Sequence, residues 1–183
     1  MSDKYELPHL SEIFQVLQAG KHISFQDGTI FFALQDKLDD FIAIFSALGF
    51  ELVSHPKDFY YFRMKGKTNT DSTKQIALFI FLLIEHLDRR ENDLESALMD
   101  NRFHLNTLPH LKTERYRELM REVKITDEEG LVSVIANMQR YGIAITYGRS
   151  SFEFRSPVYR FFDLCAEEIT ARHDKAGMGA DND

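Results

Sequence analysis

Residues 47–63, ALGFELVSHPKDFYYFR, and residues 140–155, RYGIAITYGRSSFEFR, repeat one pattern about ninety positions apart in the chain. In each stretch a helical stripe stops at a glycine, Gly49 or Gly142, and two β-branched or aromatic runs follow around a polar turn. Glycine just past a helix is typical of a left-handed C-terminal cap, and Pro-Lys-Asp or Gly-Arg-Ser turns are typical of β-hairpins. The sequence therefore predicts two similar units, each consisting of helices followed by a two-stranded hairpin.

Apolar residues at helical spacing predict the helices that surround the two hairpins. One stripe runs from Leu10 to Leu17 and stops at Gly20, and a second, from Leu34 to Leu48, predicts one long helix that ends at Gly49. The run from Ile76 to Leu87 is apolar nearly all round, which indicates a helix buried between neighbours. Further helices are predicted at 116–123, 131–138 and 158–169, a loop with a short helix at 88–100, and short strands at 21–24 and 103–105.

The predicted fold class is mainly α with short β-hairpins (α+β), arranged as tandem winged-helix domains with a C-terminal helix. Helices followed by a hairpin are the element order of a winged helix. The predicted divisions are an N-terminal winged helix at 1–66, a polar linker at 67–72, a C-terminal winged helix at 73–156, a C-terminal helix at 157–173 and a disordered tail at 174–183.

Two helix starts carry local sequence signals. The segment Thr126 to Glu129 has the spacing of a capping box, in which the Thr126 hydroxyl and the Glu129 carboxylate would accept from each other's backbone amides. Ser156-Pro157 predicts an N-cap followed by proline at the first helical position. Between these starts, the helix after Thr126 carries an apolar stripe that we expect in the core: Leu131, Val134, Ile135 and Met138.

Composition narrows the class of protein. The 183 residues carry a net charge of −7, so the field of the whole molecule repels nucleic acid, and DNA contact requires a local basic face. A single cysteine, Cys165, excludes an internal disulfide framework and a paired-cysteine zinc site. The longest apolar run, Ile76 to Ile84, is too short to span a bilayer, and the first residues lack a signal-peptide pattern. We expect a cytoplasmic protein without a membrane partner.

Catalytic, metal and cofactor motifs are absent from the sequence. The seven histidines form no HxxH or HExxH arrangement, and no glycine-rich phosphate loop is present. Cys165 lies on the apolar stripe of the last helix, where a free cysteine behaves as a small hydrophobe. Ser150 and Ser151 lie in a hairpin turn, not at the strand-to-helix corner of a hydrolase elbow. We therefore expect no enzyme activity, no metal site and no cofactor.

Cationic side chains form two clusters that are candidates for DNA contact. In the first, the cations are interleaved with Glu114, Glu118 and Glu122, so that a solvated, ion-paired surface is the favoured interpretation. The second cluster surrounds the second hairpin, where Glu153 is the only nearby acidic residue in the sequence. For this cluster, both DNA contact and a solvated surface remain open. The candidates are Lys112, Arg115 and Arg121 in the first cluster and Arg140, Arg149, Arg155 and Arg160 in the second.

Several segments together resemble a known family. Residues 20–24 (GKHIS), 38–41 (LDDF) and 50–63 resemble the amino-terminal winged helix of MukE and MksE proteins, and residues 140–143 and 152–161 resemble the end of their second winged helix and the helix after it. The resemblance covers residues 8–170, and residues 108–119, LPHLKTERYREL, are similar to the MksE branch. The short polar tail departs from the longer acidic extension of MukE.

The resemblance implies a function without catalysis. MukE and MksE are kite subunits, which are homodimers that embrace a flexible kleisin segment and bridge it to the SMC ATPase heads and to DNA in bacterial condensins. It implies an MksF/MukF-like kleisin and an MksB/MukB-like ATPase as partners, weak non-specific DNA binding, nucleoid association and a role in chromosome condensation and segregation. Phe59, Tyr60, Tyr61, Phe62 and Phe79 are candidates for the kleisin or dimer interface, with a role in the core as the open alternative.

Two other functions remain open at this stage. The equivalent kite subunit of a Wadjet-type plasmid-restriction complex uses the same architecture, and a neighbouring gene for a topoisomerase-like nuclease would indicate it. A tandem winged-helix transcription regulator would need a basic recognition helix. Residues 127–138 instead carry Asp127, Glu128 and Glu129 at the start of that helix, which argues against sequence-specific readout.

Overall fold

The computed structural model describes residues 7–63, 70–90 and 93–163. The first unit begins with α1 (Leu10–Gln18) and β1 (Ile23–Ser24), continues through a 3₁₀ turn (Phe25–Asp27), α2 (Thr29–Asp36) and α3 (Leu38–Ala47), and ends with the hairpin β2 (Glu51–His55) and β3 (Phe59–Arg63). Its three strands form an antiparallel sheet with the order β1-β3-β2. Hairpin register pairs Leu52 with Phe62 and Val53 with Tyr61, as expected for a hairpin with a three-residue turn.

The second unit repeats this order with one added helix. It contains α4 (Asp71–Asp88), α5 (Leu94–Met99), β4 (Phe103–His104), a 3₁₀ turn (Leu105–Thr107), α6 (Glu114–Glu122), α7 (Glu128–Arg140), β5 (Ala144–Tyr147), β6 (Ser151–Phe154) and a 3₁₀ turn (Ser156–Val158). The strand order β4-β6-β5 matches that of the first sheet. The predicted fold class, mainly α with short hairpins, is confirmed.

Glycine caps end the helix before each hairpin, as predicted. Gly49 has φ 83° and Gly142 has φ 75°. In both places two backbone bonds close the cap, and the bond that spans more residues runs from Phe50 N to Phe45 O at 2.9 Å or from Ile143 N to Met138 O at 2.8 Å. This double bond pattern is the Schellman motif, which directs the chain out of the helix and into the first hairpin strand.

The prediction of one long helix from Leu34 to Leu48 is wrong. The chain leaves helical geometry at Lys37, where φ is −128° and ψ is 37°, and the segment divides into α2 and α3. Both halves bury apolar side chains in one core, including Leu34 of α2 and Phe41 of α3. Because the helical spacing of apolar residues continues across the break, the sequence pattern predicts a single helix.

Two predicted helix starts also differ from the structure. Asp127 caps α7, and its carboxylate accepts from the Gly130 amide at 2.9 Å, so that the predicted capping box of Thr126 and Glu129 is not formed. At the end of the chain, Ser156-Pro157 lies inside a 3₁₀ turn capped by Arg155, and helical geometry continues over residues 159–163. The rest of the predicted C-terminal helix, the predicted disordered tail and linker residues 67–69 lie outside the described residues. Linker residues 71 and 72 belong to α4.

Each unit has its own apolar core. In the second unit, Leu131, Val134, Ile135 and Met138 are buried, as predicted, and so are the inward residues of α4. In the first, Phe41 and Phe45 of α3 are buried with Phe62 of β3. Because the two buried clusters are separate, polar contacts provide much of the junction between the units, and these contacts involve several of the predicted site residues.

Candidate functional site

Arg155 is part of the junction between the two units and is not a surface cation. Its guanidinium donates to Ser24 Oγ at 2.6 Å and forms an ion pair with Asp27, both in the first unit. The residue is 8% exposed. The predicted DNA contact by Arg155 is therefore corrected, because a guanidinium held by a carboxylate inside the protein is not presented to phosphates.

The other three hairpin arginines do not form an unopposed patch with it. Arg149 pairs with Glu129 of α7 at 2.9 Å, and Arg140 donates to its neighbour Tyr141. Arg160 is partly buried and bonds to His22 of the first unit at 3.0 Å. The single predicted opponent, Glu153, pairs with Arg102 instead. The prediction of one basic patch opposed only by Glu153 is therefore wrong. The partners of Arg149 and Arg160 lie on α7 and in the first unit, far away in the sequence, so the sequence did not indicate them.

Four of the five aromatic candidates for a kleisin or dimer interface lie in the protein interior. Phe59 and Phe79 are 0% exposed, Phe62 is 4% exposed and Tyr60 is 5% exposed. Tyr61 is partly exposed, and the Cζ atom of Arg160 lies 4.3 Å above the centre of the Tyr61 ring. In this structure the core interpretation applies to the four buried rings, and an interface must use side chains that the chain leaves exposed.

Several cationic side chains gather where α4 ends and α6 begins. Here a groove of about 440 Å³ is lined by cations from both segments, and we call it the basic groove. Lys112 and Arg115, both predicted DNA contacts, line this groove together with Arg89 and Arg90, which were not predicted. His86 also belongs to the lining. Arg121 points elsewhere and pairs with Glu114.

Buried His110 fixes the two walls of the basic groove against each other. Its Nε2–H donates to the Phe79 carbonyl of α4 at 2.8 Å, and its ring stacks on the Phe79 ring with centres 3.9 Å apart. Burial lowers the pKa of His110 to about 4. The neutral imidazole thus holds the segment that carries Lys112 against the middle of α4.

Four cationic side chains line the basic groove, and the described lining contains no carboxylate; the nearest paired carboxylate is Glu85 of α4, which precedes His86 in the chain. Arg115 donates to Glu85, and Arg89 pairs with it too, which lowers the pKa of that carboxyl. Burial, then the charges of Arg90, Lys112 and Arg89, lower the pKa of His86, so that the local potential is positive. Within the described ranges, no carboxylate pairs with Arg90 or Lys112. The signal that could have revealed the groove is the pair Arg89-Arg90 directly after a helix end, where cations are favoured.

Two exposed phenylalanines are a further feature that the sequence reasoning missed. Phe25 is 62% exposed and Phe32 is 44% exposed, and their rings meet edge to face with centres 5.7 Å apart. They belong to the 3₁₀ turn and α2 of the first unit. Paired rings that remain in water are typical of a surface that binds another chain.

In the three described segments, no group of three or more histidine, cysteine, aspartate or glutamate side chains could hold a metal ion. The helices that the structure describes include none with the length and apolar character needed to cross a bilayer.

Comparison with known proteins places the chain in a family. The family model described as condensin complex protein MksE matches residues 8–166, which include both helix-and-hairpin units and their junction. No match was found among curated proteins. Because the match covers well over half of the 183 residues, the chain belongs to the MksE family of condensin complex proteins.

Proposed function

We propose that this protein is a non-catalytic subunit of an MksBEF/MukBEF-like SMC condensin, in which it binds the kleisin and supports chromosome condensation and segregation. The observation that carries the proposal is the family match over residues 8–166. The expected partners are an MksF/MukF-like kleisin, an SMC ATPase reached through the complex, DNA and a second copy of the chain. The expected location is the cytoplasm, in association with the nucleoid.

The repeated fold supports the assignment of tandem winged helices. Both units have the order helix, short strand, two helices, hairpin, with α5 added before the short strand of the second unit. In both sheets the last strand lies between the other two. The junction contacts of Arg155 join the units, which suits a protein that holds a long partner segment across both. A kleisin segment that orders on binding would gain contact length at the cost of ordering entropy.

For DNA, the basic groove replaces the hairpin arginines as the proposed contact surface. Arg90 and Lys112 are exposed and have no carboxylate partner among the described residues, so phosphates would not have to displace an ion pair. The net charge of −7 opposes association with a free duplex. The groove therefore fits weak binding that becomes productive when partners hold the DNA nearby. Phosphate contacts of this kind carry no sequence preference.

For the homodimer, the exposed pair Phe25 and Phe32 replaces the buried aromatics as the proposed contact. The pair gives an apolar centre of the kind found in subunit interfaces.

Co-purification tests the proposed function. The tagged protein, recovered from its own cells, should bring the kleisin and the SMC ATPase with it. Gene neighbourhood then separates the two complexes that share this architecture, since a neighbouring topoisomerase-like nuclease gene would indicate a Wadjet-type plasmid-restriction role.

A further inference from the structure

A cleft of about 250 Å³ opens at the junction between the two units. The first unit contributes Lys21, His22 and Tyr61 to its lining, and the second contributes Tyr141 and Arg160. Among the described residues that line it there is no aspartate and no glutamate, although the chain as a whole carries a net charge of −7. The cleft is therefore cationic, in contrast to the acidic protein as a whole.

Arg160 is the central cation of this cleft. Its guanidinium lies 4.3 Å above the centre of the Tyr61 ring and bonds to His22 Nε2 at 3.0 Å. Within residues 7–63, 70–90 and 93–163, no carboxylate forms an ion pair with it. Removing a charge from water without a counter-ion is unfavourable. Burial accordingly lowers the pKa of Arg160.

His22 does not supply the missing negative charge. Its Nδ1–H donates to the Tyr141 carbonyl at 2.8 Å, which leaves Nε2 as the acceptor for Arg160. Arg155, five residues earlier in the chain, shows how the same junction satisfies a buried guanidinium, since it has both Asp27 and Ser24 as partners. In the described part of the chain, Arg160 lacks such a carboxylate.

The shape of the cleft indicates which anion would fit. The volume is below the range of about 300 to 1,000 Å³ that is typical of drug-sized ligands. Phe62, Ile143 and Phe161 supply apolar lining, and Arg160 with Lys21 supplies charge. A guanidinium pairs with a carboxylate through two parallel hydrogen bonds. A nucleic-acid backbone instead needs an open surface with several cations.

We propose that this cleft binds a carboxylate carried on a short apolar stem, with Arg160 as its charge partner. Two sources share this chemistry: the side chain of a glutamate on a partner chain and a free short-chain carboxylic acid. The inference rests on the cleft and not on membership of a condensin complex.

The binding test uses the full-length protein labelled with ¹⁵N, and it follows the Nε–Hε signal of Arg160 by NMR during titration. The probes are sodium butyrate, the peptide acetyl-Gly-Gly-Glu-Gly-Gly-amide and the matched peptide with glutamine in place of glutamate. A saturable shift of the signal with butyrate, the glutamate peptide or both supports the proposal, and the responding probe identifies the source. The glutamine peptide should give no shift. A shift of equal size with sodium chloride, or no saturable shift with either carboxylate, overturns the proposal.

Variants separate binding from folding. Arg160→Gln should weaken carboxylate affinity at least about tenfold, because a charge-assisted hydrogen bond is lost. Lys21→Gln, an exposed change at the cleft, should weaken affinity less and leave the fold intact. Arg117→Gln changes an exposed cation outside the cleft and should bind as the unmodified protein does. If Arg160→Gln unfolds, Lys21→Gln decides alone, and unchanged affinity in that variant would overturn the proposal.

Discussion

Arg155, at the end of the second hairpin, donates a hydrogen bond of 2.6 Å to the hydroxyl of Ser24, which lies 131 residues earlier in the chain. The same guanidinium pairs with Asp27, whose carboxylate also accepts from the Ser24 amide at 2.8 Å. A third junction contact lies close by, where the backbone of Gly142 approaches His22. A Cβ at Gly142 would stand 2.9 Å from the His22 carbonyl, so a side chain there would separate the units. These contacts join the two units into one structure.

Arg155→Met should destabilise the protein by about 2 to 3 kcal/mol. The substitution keeps much of the apolar stem but leaves Asp27 without its ion pair. Breaking a fully buried ion pair costs about 3 to 5 kcal/mol, and the partial exposure of Asp27 reduces the expected loss of stability to the bottom of that range or just below it. Urea unfolding at neutral pH measures the change. The matched control is Arg149→Ala, which breaks the fully solvated pair with Glu129 and should change stability by less than about 0.5 kcal/mol. Equal losses in the two variants would contradict the junction role of Arg155.

Acid should destabilise the protein between about pH 6.5 and pH 4. Burial lowers the pKa of both His22 and His110 to about 4, and for His22 the charges of Arg160 and Arg155 add to this effect while the bond to the Tyr141 carbonyl opposes it. The folded state thus keeps both rings neutral after the unfolded chain has taken up protons. Their contribution to stability is complete above about pH 6.5, falls with pH, and is lost near pH 4.

Unfolding free energies at pH 7 and pH 4.5 measure this dependence for the protein and for His22→Gln. The substitution removes one titrating group, so the loss of stability between the two pH values should shrink by on the order of 2 kcal/mol. His9→Gln is the control, because His9 is exposed and pairs only with Glu12. An unchanged pH dependence in His22→Gln would show that the ring is not held neutral by the junction.

The glycine caps were predictable from sequence, whereas one helix break and the long-range contacts were not. The caps at Gly49 and Gly142 follow from a glycine directly after an apolar stripe, so a short window contains all the information. The break at Lys37 has no glycine or proline, and the apolar spacing continues through it. Arg155 has its partners more than a hundred residues away, where sequence gives no sign of proximity.

Only two of the four cations in the basic groove were predictable from sequence, because the other two come from a distant segment. Lys112 and Arg115 are visible as cations near a helix start, whereas Arg89 and Arg90 follow the end of a helix earlier in the chain. Tertiary contacts bring the two segments together, among them the bond and ring stacking between His110 and Phe79 and the ion pair of Arg115 with Glu85. A tertiary contact therefore determines the charge of this surface.

Reversing two charges in the basic groove should remove most of the affinity for duplex DNA. In the double variant Arg90→Glu, Lys112→Glu, two proposed phosphate contacts are lost, and the slope of log affinity against log salt should become shallower by about 2. Fluorescence anisotropy with a labelled duplex at several salt concentrations gives both values. Arg140→Glu, Arg149→Glu applies the same change of charge at the second hairpin and should have a smaller effect. A larger effect at the hairpin would return DNA contact to those arginines.

Sedimentation at micromolar concentration should show a homodimer that depends on the exposed phenylalanine pair. Phe25→Ser, Phe32→Ser should shift the population to monomer, because it removes the apolar centre proposed for the interface. Phe81→Ser is the control, since Phe81 is exposed to a similar degree but lies on α4 of the second unit. A protein that sediments as a monomer before any substitution would refute the proposed dimer.

Affinity purification of the tagged full-length protein from its own cells, followed by mass spectrometry, tests the proposed condensin function most directly. We predict that a kleisin and an SMC ATPase are recovered in amounts comparable to the protein itself, and that both remain after nuclease treatment, because the proposed kleisin contact is one between proteins. Recovery of neither partner, together with tight and sequence-selective binding of the isolated protein to one operator, would contradict the condensin function and identify a transcription regulator.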